Sequence, residues 1–144
     1  MAETQSYQNH VRKLPLYYTL AGLVLFVNVL WSGYRLVGAA SGDHVMGFLM
    51  AVTLLVGAFA ARTQTLTVQN RVIRLEERLR FAALLPPETA ALASNLPLQQ
   101  LIALRFASDA ELPQLVKEVL AGQLTDPKAI KQKVTHWRAD HLRA

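Results

Sequence analysis

The chain has 144 residues, with 15 lysines and arginines against 10 aspartates and glutamates, and it contains no cysteine. A chain without cysteine cannot form disulfides, thiolate nucleophiles, or zinc and iron–sulfur sites with cysteine ligands. Hydrophobic residues make up 52% of the sequence and charged residues 17%, which is an apolar composition for a soluble domain. The net charge of +5 suits either a nucleic acid or an anionic membrane surface.

The first long uncharged run predicts a membrane-spanning helix over residues 14–34. At about 1.5 Å per residue, a helix of this length crosses the roughly 30 Å hydrocarbon core of a bilayer. Aromatic residues stand at both ends of the run, as in the aromatic belts of membrane proteins: Tyr17, Tyr18, Trp31 and Tyr34. A signal peptide cleaved after residues 37–39 is the alternative, but the apolar run is longer than a signal core and Arg35 precedes the cleavage triplet.

A second uncharged run predicts another span over residues 45–61. The link between the spans, residues 37–44, has no lysine or arginine, whereas basic residues flank the other ends of both spans: Arg12, Lys13, Arg62, Arg71 and Arg74. By the positive-inside rule, this asymmetry predicts that both termini are cytoplasmic and that the link faces outward. The expected location is therefore a cytoplasmic membrane, and the two spans form a helical hairpin.

Each predicted span carries one polar residue near its middle, Asn28 in the first and Thr53 in the second. An antiparallel hairpin places this intramembrane polar pair at a similar depth, since both residues are equally distant from the centre of the link. We predict a side-chain hydrogen bond between them, because an unpaired amide is costly in hydrocarbon. The alternative is a polar pathway in a channel or transporter subunit that several hairpins build together.

The second span is expected to continue beyond the membrane as one projecting helix, because no glycine or proline interrupts residues 59–84 before Pro86 and Pro87. Its apolar residues alternate four and three apart and form one stripe: Val68, Val72, Leu75, Leu79 and Ala82. We expect this stripe to pack on the helices that follow, which need a partner surface. A coiled-coil dimer through the same stripe is the alternative.

Residues 86–144 predict a small bundle of short helices. Two are expected near residues 88–93 and 97–106, and a capping box at residues 108–111 predicts a third that ends before Gly122. Asp126 and Pro127 begin the last helix, with Ile130, Val134 and Trp137 as its buried stripe. The expected fold is all-α, divided into an N-terminal segment (1–13), a transmembrane hairpin (14–61), a projecting helix (62–85) and a cytoplasmic bundle (86–144).

Four segments carry a family resemblance: YQNHVR at 7–12, QNRVIRLEERLR at 69–80, LQQLIALRFASD at 98–109 and WRAD at 137–140. Through them the chain resembles, along nearly its whole length, an uncharacterised family of small bacterial membrane proteins known as a domain of unknown function. The resemblance implies a bacterial membrane protein. It brings no activity, cofactor or catalytic residue to this chain.

A search for catalytic patterns finds only one candidate pair. His136 and Asp140 are four apart and would share a face of the last helix, but a metal site needs a third ligand, so a solvated tail is the favoured interpretation. Adjacent Glu76 and Glu77 do not face each other, and we expect them to pair with Arg80 and Arg74 on the helix surface. The sequence has no phosphate-binding glycine loop, HExxH motif or nucleophile elbow. We therefore expect neither an enzyme nor a cofactor, and a metal-dependent membrane enzyme is the least favoured alternative.

Basic residues form the remaining candidate surface: Arg62, Arg71, Arg74, Arg78, Arg80, Lys128, Lys131 and Lys133. They suit a solvated positive-inside flank, or contact with anionic lipid head groups or an acidic protein partner. Nucleic acid is not expected as a partner, because aromatic residues are nearly absent among these charges. The expected function is an anchor, adaptor or accessory subunit of a membrane complex, with self-association left open.

Overall fold

The computed structural model describes residues 6–7 and 14–139. Within those ranges the chain is all-helical, and the only strand pairing is an isolated bridge. The six helices are α1 (Leu16–Gly38), α2 (Gly42–Leu84), α3 (Pro87–Ala93), α4 (Leu98–Leu104), α5 (Leu112–Leu120) and α6 (Pro127–Lys133). The all-α prediction is confirmed. The described residues divide into two compact units, residues 14–66 and residues 67–139 together with residues 6–7.

The first unit is an antiparallel hairpin of α1 and the first part of α2, and both helices are long and apolar enough to cross a bilayer. Near the turn, a Cβ atom added at Gly33 would lie 3.3 Å from the ring of Phe48, so glycine leaves room for this ring against α1. At the opposite end, the guanidinium of Arg62 lies 5.9 Å from the ring centroid of Tyr18. Contacts at both ends show that the two helices run alongside each other.

The turn of the hairpin is shorter than the predicted link, because α1 continues through Gly38 and α2 begins at Gly42. His44 organises this turn: its Nε2 lies 2.7 Å from the guanidinium of Arg35, and its Nδ1 bonds the carbonyl of Ala39. The hydroxyl of Ser41 accepts a hydrogen bond from the backbone N–H of His44 at 3.2 Å. These bonds use polar groups at the two helix ends, where backbone groups lack partners within the helix.

The second unit is a bundle in which α4 packs on α5 and α6, and α3 packs on α5. Its core contains large apolar side chains from the end of α2 and from every helix after α3: Phe81, Leu85, Leu101, Leu104, Leu112, Val116 and Ile130. Complete burial of one such side chain stabilises the fold by about 1.5–3 kcal/mol. Fully buried alanines let the backbones approach closely: Ala93, Ala103 and Ala107.

The predicted helix signals are confirmed at three points. α2 is one helix that ends at Leu84, before the two prolines. Gly122, with a φ of 74°, follows the end of α5 in a conformation that glycine adopts without strain. The side chain of Asp126 accepts a hydrogen bond from the backbone N–H of Ala129 at 3.3 Å and caps α6.

Two predictions about the bundle are wrong in detail. The Ser108 hydroxyl donates to Glu111 at 3.2 Å, but residues 108–111 form a turn before α5 instead of a capping box on it. α6 ends at Lys133, so Val134 and Trp137 reach the core from an extended segment and not as a helical stripe. That segment is held by the antiparallel bridge between Trp137 and Ala107.

Candidate interaction surface

The apolar stripe of α2 faces outward. Val68 and Leu75 are each 59% exposed and Leu79 is 64% exposed, while Val72 and Ala82 are also exposed. The prediction that this stripe packs on the following helices is therefore wrong. The buried row is a different one, with residues four apart along α2 and just past its end: Ile73, Glu77, Phe81 and Leu85. Phe81 and Leu85 of this row lie in the core of the bundle. Because this row contains the charged Glu77, the apolar spacing of the sequence does not identify it as a buried face.

Glu77 is buried because an arginine on the same helix accompanies it. The guanidinium of Arg80 lies 3.5 Å from the Glu77 carboxylate, and it donates to Asp109 at 2.8 Å and to the carbonyl of Ala107 at 2.6 Å. Loss of hydration raises the pKa of Glu77, and the positive charge of Arg80 is the main opposing influence. Arg80 thus joins α2 to the segment before α5 and is not a surface charge as predicted.

The acidic partners predicted within α2 also differ. Arg80 pairs with Glu77, three residues away, and not with Glu76. Glu77 therefore pairs with Arg80 and not with its predicted partner, Arg74. Arg74 and Glu76 are exposed instead, which leaves their charges on the solvent side of the helix.

Several other members of the predicted basic surface make contacts within the chain. The guanidinium of Arg78 donates twice to the carbonyl of Ser94 at 3.2 Å, at the end of α3. Lys133 bonds Glu118 at 2.5 Å, and this hydrogen bond is the main cause that lowers the pKa of Glu118. The ammonium of Lys131 lies 5.7 Å from the ring centroid of Phe106. Within the described residues, Arg71, Arg74 and Lys128 are exposed, and Arg78 and Lys133 are exposed as well despite these contacts.

His136 belongs to a clamp built on Glu111. The Glu111 carboxylate accepts hydrogen bonds from the backbone N–H groups of Thr135 at 3.2 Å and His136 at 3.1 Å, and from the Thr135 hydroxyl. Partial burial alone would raise the pKa of Glu111, but these hydrogen bonds outweigh it and lower the pKa to about 2. The clamp fixes the chain that follows α6.

The candidate metal pair, His136 and Asp140, is not formed on a helix. His136 lies beyond the end of α6 and its Nδ1 is 3.2 Å from the Glu111 carboxylate, while Asp140 lies outside the described residues. Across residues 6–7 and 14–139, no three His, Asp or Glu side chains are grouped as metal ligands. An open cavity of about 540 Å³ beside this segment is lined by Asp109, His136 and Arg138, among others. Asp109 and His136 already bond Arg80 and Glu111.

The intramembrane polar pair is not joined in the structure. The Thr53 hydroxyl donates to the carbonyl of Leu49 in its own helix at 2.8 Å, and both Asn28 and Thr53 are exposed. The backbone carbonyl of Asn28 accepts from the Ser32 hydroxyl at 2.7 Å. The amide side chain of Asn28 is therefore directed to the surroundings of the hairpin and not to Thr53.

Comparison with known proteins gives one match. A family model described as a family of unknown function (DUF6526) matches residues 1–144. No curated protein and no solved structure matches the chain. The resemblance to an uncharacterised family is thereby confirmed, and its membrane-bound and bacterial aspects stay expectations.

Proposed function

Because the chain belongs to this family of unknown function, which supplies no activity, we propose from its own residues that it is a non-enzymatic membrane anchor or adaptor. In this proposal the hairpin lies in a bacterial cytoplasmic membrane with both termini in the cytoplasm. The bundle is then an accessory module that a larger membrane complex, or a cytoplasmic protein partner, binds at the membrane surface.

The observation that carries the proposal is the exposure of the hairpin's apolar side chains. No residue of α1, which is described over its whole length, is buried, and most of its leucines and valines and its phenylalanine are exposed. Each such side chain left in water forgoes about 1.5–3 kcal/mol of burial, and soluble monomers rarely expose apolar patches larger than a few hundred Å². A bilayer covers this surface without a further protein domain, and so supports the anchor.

The turn of the hairpin supports retention of the first span. Val37 and Gly38 of the alternative cleavage triplet are the last residues of α1, and the bonds from His44 to Arg35 and Ala39 hold that helix end to the start of α2. A cleavage site is recognised as an accessible segment with small residues. A helix end packed against the next helix is a poor substrate.

Positive charge supports the orientation and a contact with anionic lipid. Arg62 follows the apolar part of α2, and Arg71 and Arg74 lie farther along the same helix with exposed side chains. Each basic residue near an anionic leaflet contributes about 1 kcal/mol of attraction, which falls off within about 10 Å. Arg62 is expected to contribute most, because it is the nearest of the three to the uncharged run.

The proposal is tested by extraction from native membranes. The protein should stay in the membrane after washing with alkaline carbonate and be released by mild detergent, because its hairpin is covered by lipid. In detergent, native mass analysis should show a stoichiometric protein companion. Release by carbonate alone would rule out the anchor, whereas retention without any companion would rule out the accessory role and leave the anchor intact.

A subunit of a small channel or transporter is the second candidate, and the exposure of Asn28 favours it. An amide on the outside of a hairpin finds a hydrogen-bond partner in hydrocarbon only when another helix supplies one. Asn28→Leu separates the two candidates. A folded variant that loses solute flux in reconstituted vesicles supports the channel, whereas a folded variant with an unchanged protein companion supports the adaptor.

A further inference from the structure

The exposed stripe of α2 has the spacing of a two-stranded coiled coil. Its residues follow at intervals of four, three, four and three, which places Val72 and Leu79 at heptad position a and Val68, Leu75 and Ala82 at position d. A β-branched residue at a, followed by leucine at d, favours two parallel strands. Val72 and Leu75 provide this combination at the centre of the stripe. We infer that the stripe binds the same stripe of a second copy of the chain in a parallel coiled coil.

The stripe is free for this contact because the buried residues of α2 lie on other faces of the helix. Ile73, Glu77 and Phe81 are buried and fall at heptad positions b, f and c, on the outer side of the proposed coiled coil. The stripe itself keeps between 47% and 64% exposure at its valines and leucines. A second copy can therefore pack on the stripe while each bundle stays folded.

The charges beside the stripe match a parallel pair. Arg71 falls at position g and Glu76 at position e of the next heptad, and g-to-e′ contacts are the ones that join parallel strands. Both side chains are exposed and, within the described residues, neither takes part in a salt bridge. Twofold symmetry forms the Arg71–Glu76 contact twice. An antiparallel pair would instead bring the g positions Arg71 and Arg78 together, where like charges repel.

The direction of the strands also follows from the anchor, and in this respect the inference rests on the proposed function. Two copies that enter one membrane in the same orientation project their α2 helices in the same direction. A stripe of less than three heptads is weak for a pair of free helices, but confinement of both copies to one bilayer raises their effective concentration. Association is therefore expected to be stronger in the membrane than in dilute detergent.

Disulfide trapping tests the register, since the chain contains no cysteine of its own. Val68→Cys and Leu75→Cys, made singly in the full chain, should give disulfide-linked dimers in native membranes under mild oxidation. Arg74→Cys is the matched control, because this exposed position lies at heptad position c, away from the seam. Equal crosslinking at all three positions, or none at positions 68 and 75, would overturn the inference.

Charge reversal tests the pairing itself. Arg71→Glu should weaken dimerisation of the full chain in zwitterionic vesicles by about tenfold, because two attractive contacts become repulsive. Adding Glu76→Arg to the same chain should restore the dimer, since it re-forms both contacts with the charges exchanged. If the second substitution does not restore the dimer, the proposed contact between Arg71 of one copy and Glu76 of the other is wrong. The inference would also be wrong if the wild-type chain stayed monomeric in zwitterionic vesicles and its stripe became protected from solvent only when anionic lipid was present. The stripe would then bind the membrane surface.

The two proposals fail in different ways. If the hairpin is not an anchor, carbonate releases the protein, whatever the crosslinking pattern. If the stripe does not join two copies, the protein stays in the membrane but positions 68 and 75 crosslink no better than position 74.

Discussion

Arg74 and Arg80 are two arginines on one helix, and their sequence neighbourhoods give no reason to separate them. In the structure Arg74 is exposed, whereas Arg80 is 9% exposed and bonds Glu77, Asp109 and the carbonyl of Ala107. Asp109 and Ala107 lie far along the chain from Arg80, so no spacing rule within α2 identifies this contact. The sequence shows that both residues are charged. The role of Arg80, however, depends on Ala107 and Asp109, which belong to a later part of the chain that folds back onto the helix.

Replacement of these two arginines should have different effects on the free energy of unfolding, because Arg80 belongs to a buried charge network and Arg74 is solvated. Arg80→Ala should lower the free energy of unfolding by about 3 kcal/mol, because it leaves the buried Glu77 carboxylate without its cation. Arg74→Ala, the matched control, should change it by less than about 0.5 kcal/mol. Urea unfolding of the full chain in micelles, followed by Trp137 fluorescence in a Trp31→Phe background, measures both. Equal losses would contradict the network.

Glu111 makes a prediction about pH. Its pKa of about 2 lies below the ordinary 4.5, so the ionised carboxylate stabilises the fold above pH 4.5, and this stabilisation is lost as the pH falls from 4.5 towards 2. Glu111→Gln should lower the free energy of unfolding at neutral pH by about 1–2 kcal/mol, through lost hydrogen bonds to Thr135 and His136. It should also remove this part of the acid dependence.

The difference between Glu111→Gln and the unsubstituted chain, measured by urea unfolding across this pH range, isolates the contribution of Glu111. Glu118→Gln is the control, because Glu118 lies on α5 and bonds the exposed Lys133. If both variants lose the same stability and show the same acid dependence, the clamp does not hold the segment after α6.

At the scale of elements, the sequence predicts where helices lie better than which face they bury. The prolines and glycine at helix ends, and the uncharged runs, predict all six helices because these are local effects of backbone geometry. α2 carries two candidate rows, one apolar at every position and one interrupted by Glu77. Apolar spacing alone selects the first row, while the bundle takes the second with Phe81 and Leu85. The choice depends on a distant partner for the charged residue.

The hairpin offers a prediction at this scale. Gly33→Leu should force Phe48 away and separate α1 from α2, because even a Cβ at position 33 would lie 3.3 Å from that ring. Gly22→Leu is the control on the same helix, since a Cβ there meets nothing within 4 Å. The measurement is the yield of an intramolecular disulfide between cysteines placed at Tyr18 and Arg62. An equal yield in both leucine variants would mean that Gly33 does not set the helix spacing.

Over the whole molecule, the two units differ in whether their large apolar side chains are exposed or buried. The unit of residues 14–66 buries Ala51 and exposes most of its large apolar side chains, whereas the unit of residues 67–139 encloses leucines and Phe81 in a core. Composition already predicts this division, because the two longest uncharged runs, residues 14–34 and 45–61, both lie before residue 62. The clamp of Glu111 on Thr135 and His136 could not be predicted, since its partners are brought together only by the turn after α6 and the packed bundle.

This division carries a prediction of topology. In intact cells, Ala40→Cys in the turn of the hairpin should react with a maleimide that cannot cross the membrane, because the turn is expected to face outward. Gln64→Cys, which follows the uncharged part of α2, should react only after the cells are permeabilised. The chain provides no competing thiol. The reverse labelling pattern would contradict the proposed orientation.

The bridge between Ala107 and Trp137 has a mechanical consequence. The backbone N–H of Ser108 donates to the backbone carbonyl of His136 at 3.1 Å, and that of Arg138 donates to the backbone carbonyl of Phe106 at 2.8 Å. These bonds close a loop of chain that contains α5 and α6. Tension applied to the chain after Arg138 is borne first by these bonds and by the Glu111 clamp. The force therefore bypasses α5 and α6, which lie inside the loop, and reaches them only after these bonds break.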